Sequence, residues 1–375
     1  MKYISSALMS FVVALLFLSS PSVFATPTNT IYLRTDCAEN GIAVSGCYTT
    51  LDALDTAINL IKPNASKPLL IDVGPGTFKG QFVCRDISNL TLRGSGRSNT
   101  ILGSTRDSST FLLRNCDQLN VSNLKIIGTY YVIQWGGTGV TTWTDVEVLG
   151  AGIGWYDDES TCTPSKTKHY WYSSKFEIHP FLTQSATYVA NCGSHWFYGS
   201  ELISTSEALA GVLYPSPGTN DVVYASGSEV HIYGSVLRIM SPLNSGGNPN
   251  RFNIVSSVNN ASVHIHGTGI DADSAYASNL VALTAGSGGE IHANESSYNL
   301  KTSGGTITRA FKTDATAHIH AVYFWETHPE APTITSIDGF DTAIVTNTAD
   351  GYPHMVVYSS KCVSHWYDST LRTCR

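Results

Sequence analysis

The chain has 375 residues and a formal net charge of -7, and only 14% of its residues are charged. So few Lys and Arg argue against nucleic acid as a partner, because binding it needs many cationic contacts to phosphates. The 32 glycines, in a sequence dense in Ser, Thr and Asn, are typical of many short strands joined by turns. Beyond the N-terminus no apolar run approaches the length of a transmembrane helix, so we expect no membrane span.

Residues 1–25 have the pattern of a signal peptide. Lys2 supplies the positive charge, residues 11–18 form the apolar run, and Val23-Phe24-Ala25 is a small-x-small cleavage site. We therefore expect a secreted or periplasmic protein. Its mature part is predicted to be a single domain with an N-terminal cap (26–65), repeating coils (66–327) and a C-terminal cap (328–375).

The eight cysteines all follow the predicted signal peptide, and an even number in an oxidising compartment predicts disulfides. A metal site is less favoured, because no CxxC spacing occurs. Two pairs close short loops near the ends, one pair lies a repeat apart, and one pair is left over. The expected bridges are Cys37–Cys47, Cys362–Cys374, Cys84–Cys116 and Cys162–Cys192.

A short amphipathic helix is predicted after Thr49 or Thr50, either of which can serve as its N-cap. Its apolar positions share one helical face: Leu51, Leu54, Ala57, Ile58 and Ile61. Such a helix would cover the open end of a solenoid, as terminal repeats must.

From residue 90 onwards a short strand ending in a small turn residue recurs nine times, as in NLTLRGS, HWFYGS and EVHIYGS. The spacing between equivalent positions ranges from 22 residues (Leu124 to Val146) to 35 residues (His195 to Val230). This length is typical of one coil of a solenoid. The sequence therefore predicts an all-β protein, a right-handed parallel β-helix.

Alternation along each strand places its first and third positions inside the solenoid. These positions are apolar in most repeats, but His169 and His195 also occupy them. Either the register slips there or the two are core histidines with hydrogen-bond partners, and we favour the slip. The second and fourth positions face outward in two columns. The first column is Thr91, Lys125, Glu147, Tyr170, Trp196, His231, His264, His292 and His318; the second is Arg93, Ile127, Leu149, Tyr172, Tyr198, Tyr233, His266, Asn294 and His320.

The aromatic part of these columns has two interpretations. Its members could hold sugar rings, since exposed apolar strips commonly mark contact surfaces. Alternatively, like residues stack on an exposed sheet because they pack well. The predicted substrate-binding residues are Tyr170, Tyr172, Trp196, Tyr198 and Tyr233. For the histidines the packing interpretation is favoured over metal capture, because no carboxylate completes a site in the sequence pattern.

Residues 48–102 carry a family resemblance. The predicted helix leads to Gly74-Pro75-Gly76-Thr77-Phe78, and one coil later come Leu92-Arg93-Gly94-Ser95-Gly96 and Thr100-Ile101. This order resembles the opening of the pectin-lyase-like superfamily, most of all pectin methylesterases. The resemblance implies a β-helix fold and a link to polysaccharide. That superfamily includes esterases, lyases, hydrolases and non-catalytic proteins.

The catalytic motifs of pectin methylesterases are only partly matched. Gly154-Trp155-Tyr156-Asp157-Asp158 keeps the aspartate of one motif but has Tyr156 in place of glutamine. Glu177 stands near the second acid, offset by one residue, and Arg251 is the one counterpart of the motif arginine. The resemblance thus yields Asp157, Asp158, Glu177 and Arg251 as catalytic candidates without an intact motif.

Residues 155–179 are unusually rich in ionisable and aromatic side chains, with consecutive acids at 157–159 and several lysines, histidines and aromatics. Carbohydrate enzymes need paired carboxylates or a base beside a cation site. The acids could serve as oxygen ligands for Ca²⁺, and Lys175 or His179 could act as the base. Alternatively, this is a solvated acidic turn beside a disulfide loop.

The sequence supports two alternative hypotheses about function. The first is an exported protein that binds or processes carbohydrate, acting on uronic-acid-containing polysaccharide as an esterase or a lyase. The second is a non-catalytic surface or adhesin-type β-helix. Both have a polysaccharide or cell-surface glycan as partner, and the sequence leaves open whether the protein is an enzyme.

Overall fold

The structure is a computed structural model, which describes residues 29–38, 46–103, 109–158, 160, 162–179, 184–205, 219–241, 251–274, 280–302, 311–313, 317–325, 355–359, 367–368 and 373–374. The predicted signal peptide and Cys362 lie outside these residues. Within them, every helix is too short or too polar to cross a membrane.

The described part of the chain contains one α-helix, α1 (Leu51–Ile61). Its strands in chain order are β1 (Asn29–Leu33), β2 (Cys47–Tyr48), β3 (Leu69–Val73), β4 (Gly76–Phe78), β5 (Phe82–Arg93), β6 (Thr100–Gly103), β7 (Ser109–Gly128), β8 (Tyr131–Gly136), β9 (Gly139–Gly150), β10 (Ile153–Asp158), β11 (Thr167–Tyr172), β12 (Lys175–Ile178), β13 (Gln184–Ala190), β14 (Ser194–Tyr198), β15 (Glu201–Thr205), β16 (Thr219–Ser226), β17 (Glu229–Tyr233), β18 (Val236–Ser241), β19 (Arg251–Val258), β20 (Ser262–His266), β21 (Gly269–Ser274), β22 (Leu280–Ala285), β23 (Glu290–Thr302), β24 (Phe311–Thr313), β25 (His318–Trp325), β26 (Met355–Ser359), β27 (Tyr367–Asp368) and β28 (Thr373–Cys374).

The strands stack in register as three parallel faces, and each coil supplies one strand segment to each face. Face 1 runs β1–β3–β5–β7–β9–β11–β14–β17–β20–β23–β25–β26. Face 2 runs β4–β6–β7–β9–β12–β15–β18–β21–β23. Face 3 runs β5–β7–β8–β10–β13–β16–β19–β22–β24. The predicted right-handed parallel β-helix is confirmed.

The interior follows from period-2 alternation, which turns every second side chain inward. At the N-terminal end the inward positions of face 1 are aliphatic, for example Leu90 and Leu119, which pair directly. In the middle coils they become aromatic or polar. Four tryptophans and a tyrosine are fully buried in these middle coils. Trp143 and Trp171 lie on face 1, and Trp135, Trp155 and Tyr188 lie on face 3.

The helix α1 begins where the sequence predicts. Thr50 is its N-cap, and its hydroxyl accepts a hydrogen bond from the Ala53 amide at 3.2 Å. Lys62 ends it in the left-handed region. Leu51, Leu54 and Ile58 are buried in the same core as the first coils, Ala57 is buried as well, and Ile61 packs against that core. The helix therefore closes the N-terminal end of the core.

The residues that carry the family resemblance form stacked turns. The Thr100 hydroxyl donates to the Gly74 carbonyl at 3.0 Å, and the Ser95 hydroxyl donates to the Val73 carbonyl at 3.0 Å. A Cβ on Gly94 would collide with the carbonyl oxygen of Asn123 in the next coil. These small residues are therefore explained by close stacking of coils.

Three of the predicted disulfides are confirmed: Cys37–Cys47, Cys84–Cys116 and Cys162–Cys192. The second and third join adjacent coils. The fourth predicted pair lies outside the described residues, because Cys362 is not among them.

The predicted strand alignment is wrong at three repeats. The repeats that begin at Leu124 and Val146 belong to face 2, and Leu90 instead pairs with Leu119, which pairs with Thr141. Near the C-terminus Ile291 pairs with Ile319, so His320 and not His318 follows His292. Two strands of one coil share the same alternation, so the sequence pattern does not distinguish one face from the next.

The predicted register slip at the two inward histidines is also wrong. His169 pairs with His195 and with Thr141 in unbroken register, and both rings are fully buried. Three of their four ring nitrogens have hydrogen-bond partners in a network described below, whereas His169 Nε2 has none among the described residues.

Candidate functional site

The outward surface of face 1 carries two columns of stacked rings. The column of Tyr170 and Trp196 has centroids 4.7 Å apart with planes inclined by 14°. In the second column Tyr172 stacks on Tyr198 at 5.0 Å and Tyr198 on Tyr233 at 5.3 Å, each at 9°. These five residues, the aromatic ladder, are the predicted substrate-binding residues, and strand register brings them together on one surface.

Stacking determines which part of each ring a ligand can reach. Because the planes are nearly parallel along the solenoid axis, the ring faces cover one another and the edges point to solvent. Tyr172 remains 38% exposed, and the other four members are partly buried. The surface therefore offers hydroxyl and indole N–H groups in two periodic rows.

The phenols of the ladder stay protonated. Burial, with the neighbouring Tyr172 and Tyr233, raises the pKa of Tyr198 to about 12. Burial also raises the pKa of Tyr170, Tyr172 and Tyr233 above the usual value. Each phenol therefore keeps its O–H proton over the physiological pH range, although the Tyr233 hydroxyl already lies 3.4 Å from His231 Nδ1.

Histidines continue both columns towards the C-terminus. His231, His264 and His292 stack with centroids 4.9 and 5.1 Å apart, and His266 stacks on Tyr233 at 5.2 Å. We call these four residues the histidine ladder. The prediction that no carboxylate lies beside these histidines is wrong. Glu229 Oε1 is 2.9 Å from His231 Nε2, and Glu290 Oε2 is 3.5 Å from His292 Nε2.

Asp157 and Asp158 lie on opposite sides of β10. Asp157 is fully buried inside the solenoid. Asp158 faces outward, where Arg114 Nη1 contacts it at 2.9 Å and the Ser160 hydroxyl donates to it at 2.6 Å. Both partners lower the pKa of Asp158. The two carboxylates do not share the predicted calcium site, and Glu159 lies outside the described residues.

Inside the solenoid, Asp157 belongs to a hydrogen-bonded network. Trp155 Nε1 donates to its Oδ1 at 2.6 Å, and the Asn191 amide donates to its Oδ2 at 3.2 Å. His195 Nε2 lies 3.1 Å from the same Oδ2. Burial, with His195, lowers the pKa of His169 well below its usual value. This network lies inside the coils, away from the outer surface of face 1.

Lys175 and Glu177 lie on face 2. Lys175 Nζ is 2.7 Å from Glu177 Oε2, and His179 Nε2 is 3.3 Å from Glu177 Oε1. The hydrogen bond with His179, together with Lys175, lowers the pKa of Glu177 to about 2. Partial burial opposes ionisation of Lys175, but Glu177 outweighs it and raises the pKa of Lys175. These shifts disfavour an acid role for Glu177 and a base role for Lys175 near neutral pH.

Arg251 begins β19 on face 3, where its backbone pairs with Thr219. Its side chain lies outside the described part of the molecule. The predicted catalytic residues are thus divided among the interior (Asp157), face 2 (Lys175 and Glu177) and face 3 (Asp158 and Arg251), so the structure does not gather them in one outer cleft.

The sequence interpretation missed the buried polar group around Asp157. It consists of Thr141, His169, Tyr188, His195 and Asp157 itself, and each of them is fully buried. One signal was present: Asp157, like the two histidines, falls at an inward position of a strand. Polar residues at inward positions of consecutive strands predict a buried network.

The backbone of this chain is similar to those of several solved polysaccharide-active proteins. It matches a carrot pectin methylesterase at 11% identity over 77% of this chain and 88% of that one, with a TM-score of 0.48. Pectate lyase Pel9A matches at 13% identity over 82% of each chain, with a TM-score of 0.48. An alginate lyase from Paenibacillus matches at 14% identity over 73% of this chain and 98% of that one, with a TM-score of 0.43.

The chain is a parallel β-helix. This conclusion rests on the register of its own strands, and it is the fold that the N-terminal resemblance implied. No protein-family model and no curated protein sequence matches the chain.

Proposed function

We propose that this chain is an exported protein that binds a polysaccharide or cell-surface glycan along the aromatic ladder of face 1. The observation that carries the proposal is the pair of stacked ring columns whose polar edges point outward. Their rings recur every 4.7–5.3 Å along the solenoid axis. This repeat is close to the length of one pyranose unit, so an extended glycan lying along the axis could meet successive rings with successive sugars.

Hydrogen bonding is the interaction that this surface offers best. Ring edges present phenol hydroxyls and an indole N–H, and sugars present hydroxyls and ring oxygens. Each such bond contributes a net ~0.5–1.5 kcal/mol, so several in register are needed for useful affinity. The chain has a net charge of -7 and offers no broad cationic field that would attract an acidic polymer. A uronic-acid polymer would therefore be held by hydrogen bonds from the ladder to its carboxylates.

Binding is favoured over catalysis because the candidate acids are separated. Asp157 is enclosed within the core, and Glu177 is held ionised by Lys175 and His179 on another face. Paired-carboxylate chemistry needs both groups on one substrate within about 10 Å. Secretion or periplasmic location remains part of the proposal, supported by three disulfides.

The test removes the hydroxyls while keeping the rings. The triple variant Tyr172→Phe, Tyr198→Phe and Tyr233→Phe should retain the stack and the fold but bind glycan at least tenfold more weakly. Affinity for pectin, pectate, alginate and neutral glycans is measured by retention on immobilised polysaccharide and by calorimetry. Tyr130→Phe is the matched control, because Tyr130 is 40% exposed and lies outside the ladder.

Two outcomes would overturn the proposal. Unchanged retention of the triple variant, together with unchanged retention after Trp196→Ala, would remove the ladder as the binding surface. Release of methanol, reducing ends or unsaturated product by the wild type, lost in Asp158→Asn and kept in the ladder variants, would make the protein an enzyme with its site elsewhere.

A further inference from the structure

Three side chains of the kind that bind metal ions meet inside the solenoid. His169 on β11 and His195 on β14 are direct neighbours in face 1, with ring centroids 4.9 Å apart. Asp157 reaches them from the end of β10. All three are fully buried, and one potential ligand atom from each lies within 4.8 Å of the other two.

His169 leaves one ring nitrogen available. Its Nδ1 is 2.8 Å from the Thr141 hydroxyl oxygen, whereas its Nε2 is buried without a hydrogen-bond partner among the described residues. Unpartnered buried polar atoms are uncommon in folded proteins, because burial removes their bonds to water. A ligand at Nε2 would satisfy this atom.

Both histidines are oriented by the same arrangement of outer partners. Trp143 Nε1 donates to the Thr141 hydroxyl at 2.8 Å, and this hydroxyl lies 2.8 Å from His169 Nδ1. Likewise Trp171 Nε1 donates to the Tyr188 hydroxyl at 3.0 Å, and this hydroxyl lies 2.8 Å from His195 Nδ1. In metal sites the non-ligating histidine nitrogen is commonly fixed in this way by an oxygen.

Asp157 supplies negative charge to the same interior point. Its partners in the described part of the chain are Trp155, Asn191 and His195, and no Lys or Arg side chain is among them. A buried carboxylate requires a compensating positive charge. His195 Nε2 also lies 2.8 Å from the Cys192 carbonyl oxygen, so oxygen atoms face this nitrogen from two sides.

We propose that Asp157, His169 and His195 bind one divalent transition-metal ion, of which Zn²⁺ is the best match to two imidazole nitrogens and one carboxylate oxygen. The His195 Nε2 and Asp157 Oδ2 atoms are 3.1 Å apart, a separation that one ion can bridge. His169 Nε2, which has no other partner among the described residues, supplies the third ligand atom. Each histidine binds through Nε2 as a neutral imidazole, with its proton on Nδ1 facing the hydroxyl oxygen of Thr141 or Tyr188.

The ion has a structural role. The site is enclosed, and it joins strands of two successive coils beside the Cys162–Cys192 disulfide. A metal that binds only the folded chain adds its binding free energy to the stability of the fold. This inference does not rest on the proposed glycan binding, which concerns the opposite side of the same strands.

The first experiment uses the whole chain without a polyhistidine tag. The protein is refolded with its disulfides intact, either with a chelator or with ZnCl₂, and then dialysed. We expect one zinc per chain by mass spectrometry of the metal and a thermal midpoint several degrees higher than in the chelator-treated protein. No retained zinc and equal midpoints would overturn the proposal, and would assign the unpartnered His169 nitrogen to an internal water.

The second experiment locates the ion with variants. Asp157→Asn and His169→Gln should lose the zinc, and Thr141→Val should weaken its affinity about 10–100-fold. Thr187→Val is the matched control. The buried Thr187 hydroxyl donates to the Ile203 carbonyl at 3.1 Å and contacts neither histidine. Cobalt substitution gives a visible spectrum that the Thr141 variant should shift and the Thr187 variant should not.

The histidine ladder is the competing metal-binding surface. His264→Gln should keep the zinc and the rise in thermal midpoint. If His264→Gln releases the zinc while Asp157→Asn retains it, the internal site is excluded. If the internal variants do not fold, His264→Gln still decides the proposal: retained zinc with the rise in thermal midpoint supports the internal site, and loss of both overturns it.

Discussion

His264 illustrates how a single side chain makes stability depend on pH. It lies between His231 and His292, with Glu229 and His266 also near. Burial, reinforced by the neighbouring imidazoles, lowers its pKa below the usual 6.5. As the pH falls through about 6.5 the unfolded chain takes up this proton before the folded chain does, so the folded state loses stability.

The variant His264→Gln should therefore reduce the stability loss on acidification. At about pH 8 its free energy of unfolding should stay near that of the wild type, and between about pH 6.5 and 5 it should fall less steeply. Urea unfolding at several pH values measures both. Ser262→Ala is the control, since it removes the hydroxyl bonded to His264 Nε2 and keeps the imidazole. An acid slope in His264→Gln equal to that of the wild type would contradict the prediction.

At the scale of elements, α1 shows what an amphipathic pattern contributes. Leu54 is fully buried against the first coils, whereas Leu60 on the same helix is 81% exposed. Leu54→Ala removes buried methyl groups and leaves a cavity, which typically costs about 2–5 kcal/mol. The chemically identical change at Leu60 removes little buried surface.

We expect Leu54→Ala to lower the free energy of unfolding by about 2–5 kcal/mol and Leu60→Ala to leave it within about 0.5 kcal/mol. Equilibrium unfolding in urea, followed by circular dichroism, tests both variants. Equal effects of the two changes would mean that the helix does not close the core.

The faces of the strands are harder to predict than the helix. The cap and the apolar face of the helix are local features, and Thr50 and Leu51 to Ile58 behave as they predict. The pattern predicts the wrong face for the repeats at Leu124 and Val146, since each coil contains several strands of the same period. Alternation shows which side chains point inward, but it carries no information on the face to which a strand belongs.

At the scale of the whole molecule, disulfides reinforce contacts between successive coils. A solenoid is stabilised chiefly by the interfaces between neighbouring repeats. Cys84 and Cys116 are separated by 32 residues in sequence and bridge adjacent coils through fully buried side chains. The bridge therefore restrains the unfolded chain across a full turn of the solenoid.

Replacing both residues with alanine should lower the free energy of unfolding by about 2–4 kcal/mol. The variant should still fold, because the three faces retain their hydrogen bonds. Urea unfolding of the oxidised variant measures the loss, with the Cys37→Ala and Cys47→Ala double variant as a comparison for a loop of only 10 residues. A stability equal to that of the wild type would show that the bridge adds nothing to the coil interface.

The fold class, the capping helix, three disulfide pairs and the five residues of the aromatic ladder can all be predicted from the sequence alone. These features depend on local periodicity, on spacing along the chain or on residues in neighbouring repeats. The tertiary structure decided the rest. It enclosed Asp157 with His169 and His195, turned Asp158 outward, and separated Glu177 and Arg251 onto different faces. The physical reason is that the path of each turn fixes which strands become neighbours, and turn lengths here vary too much for spacing alone to reveal it.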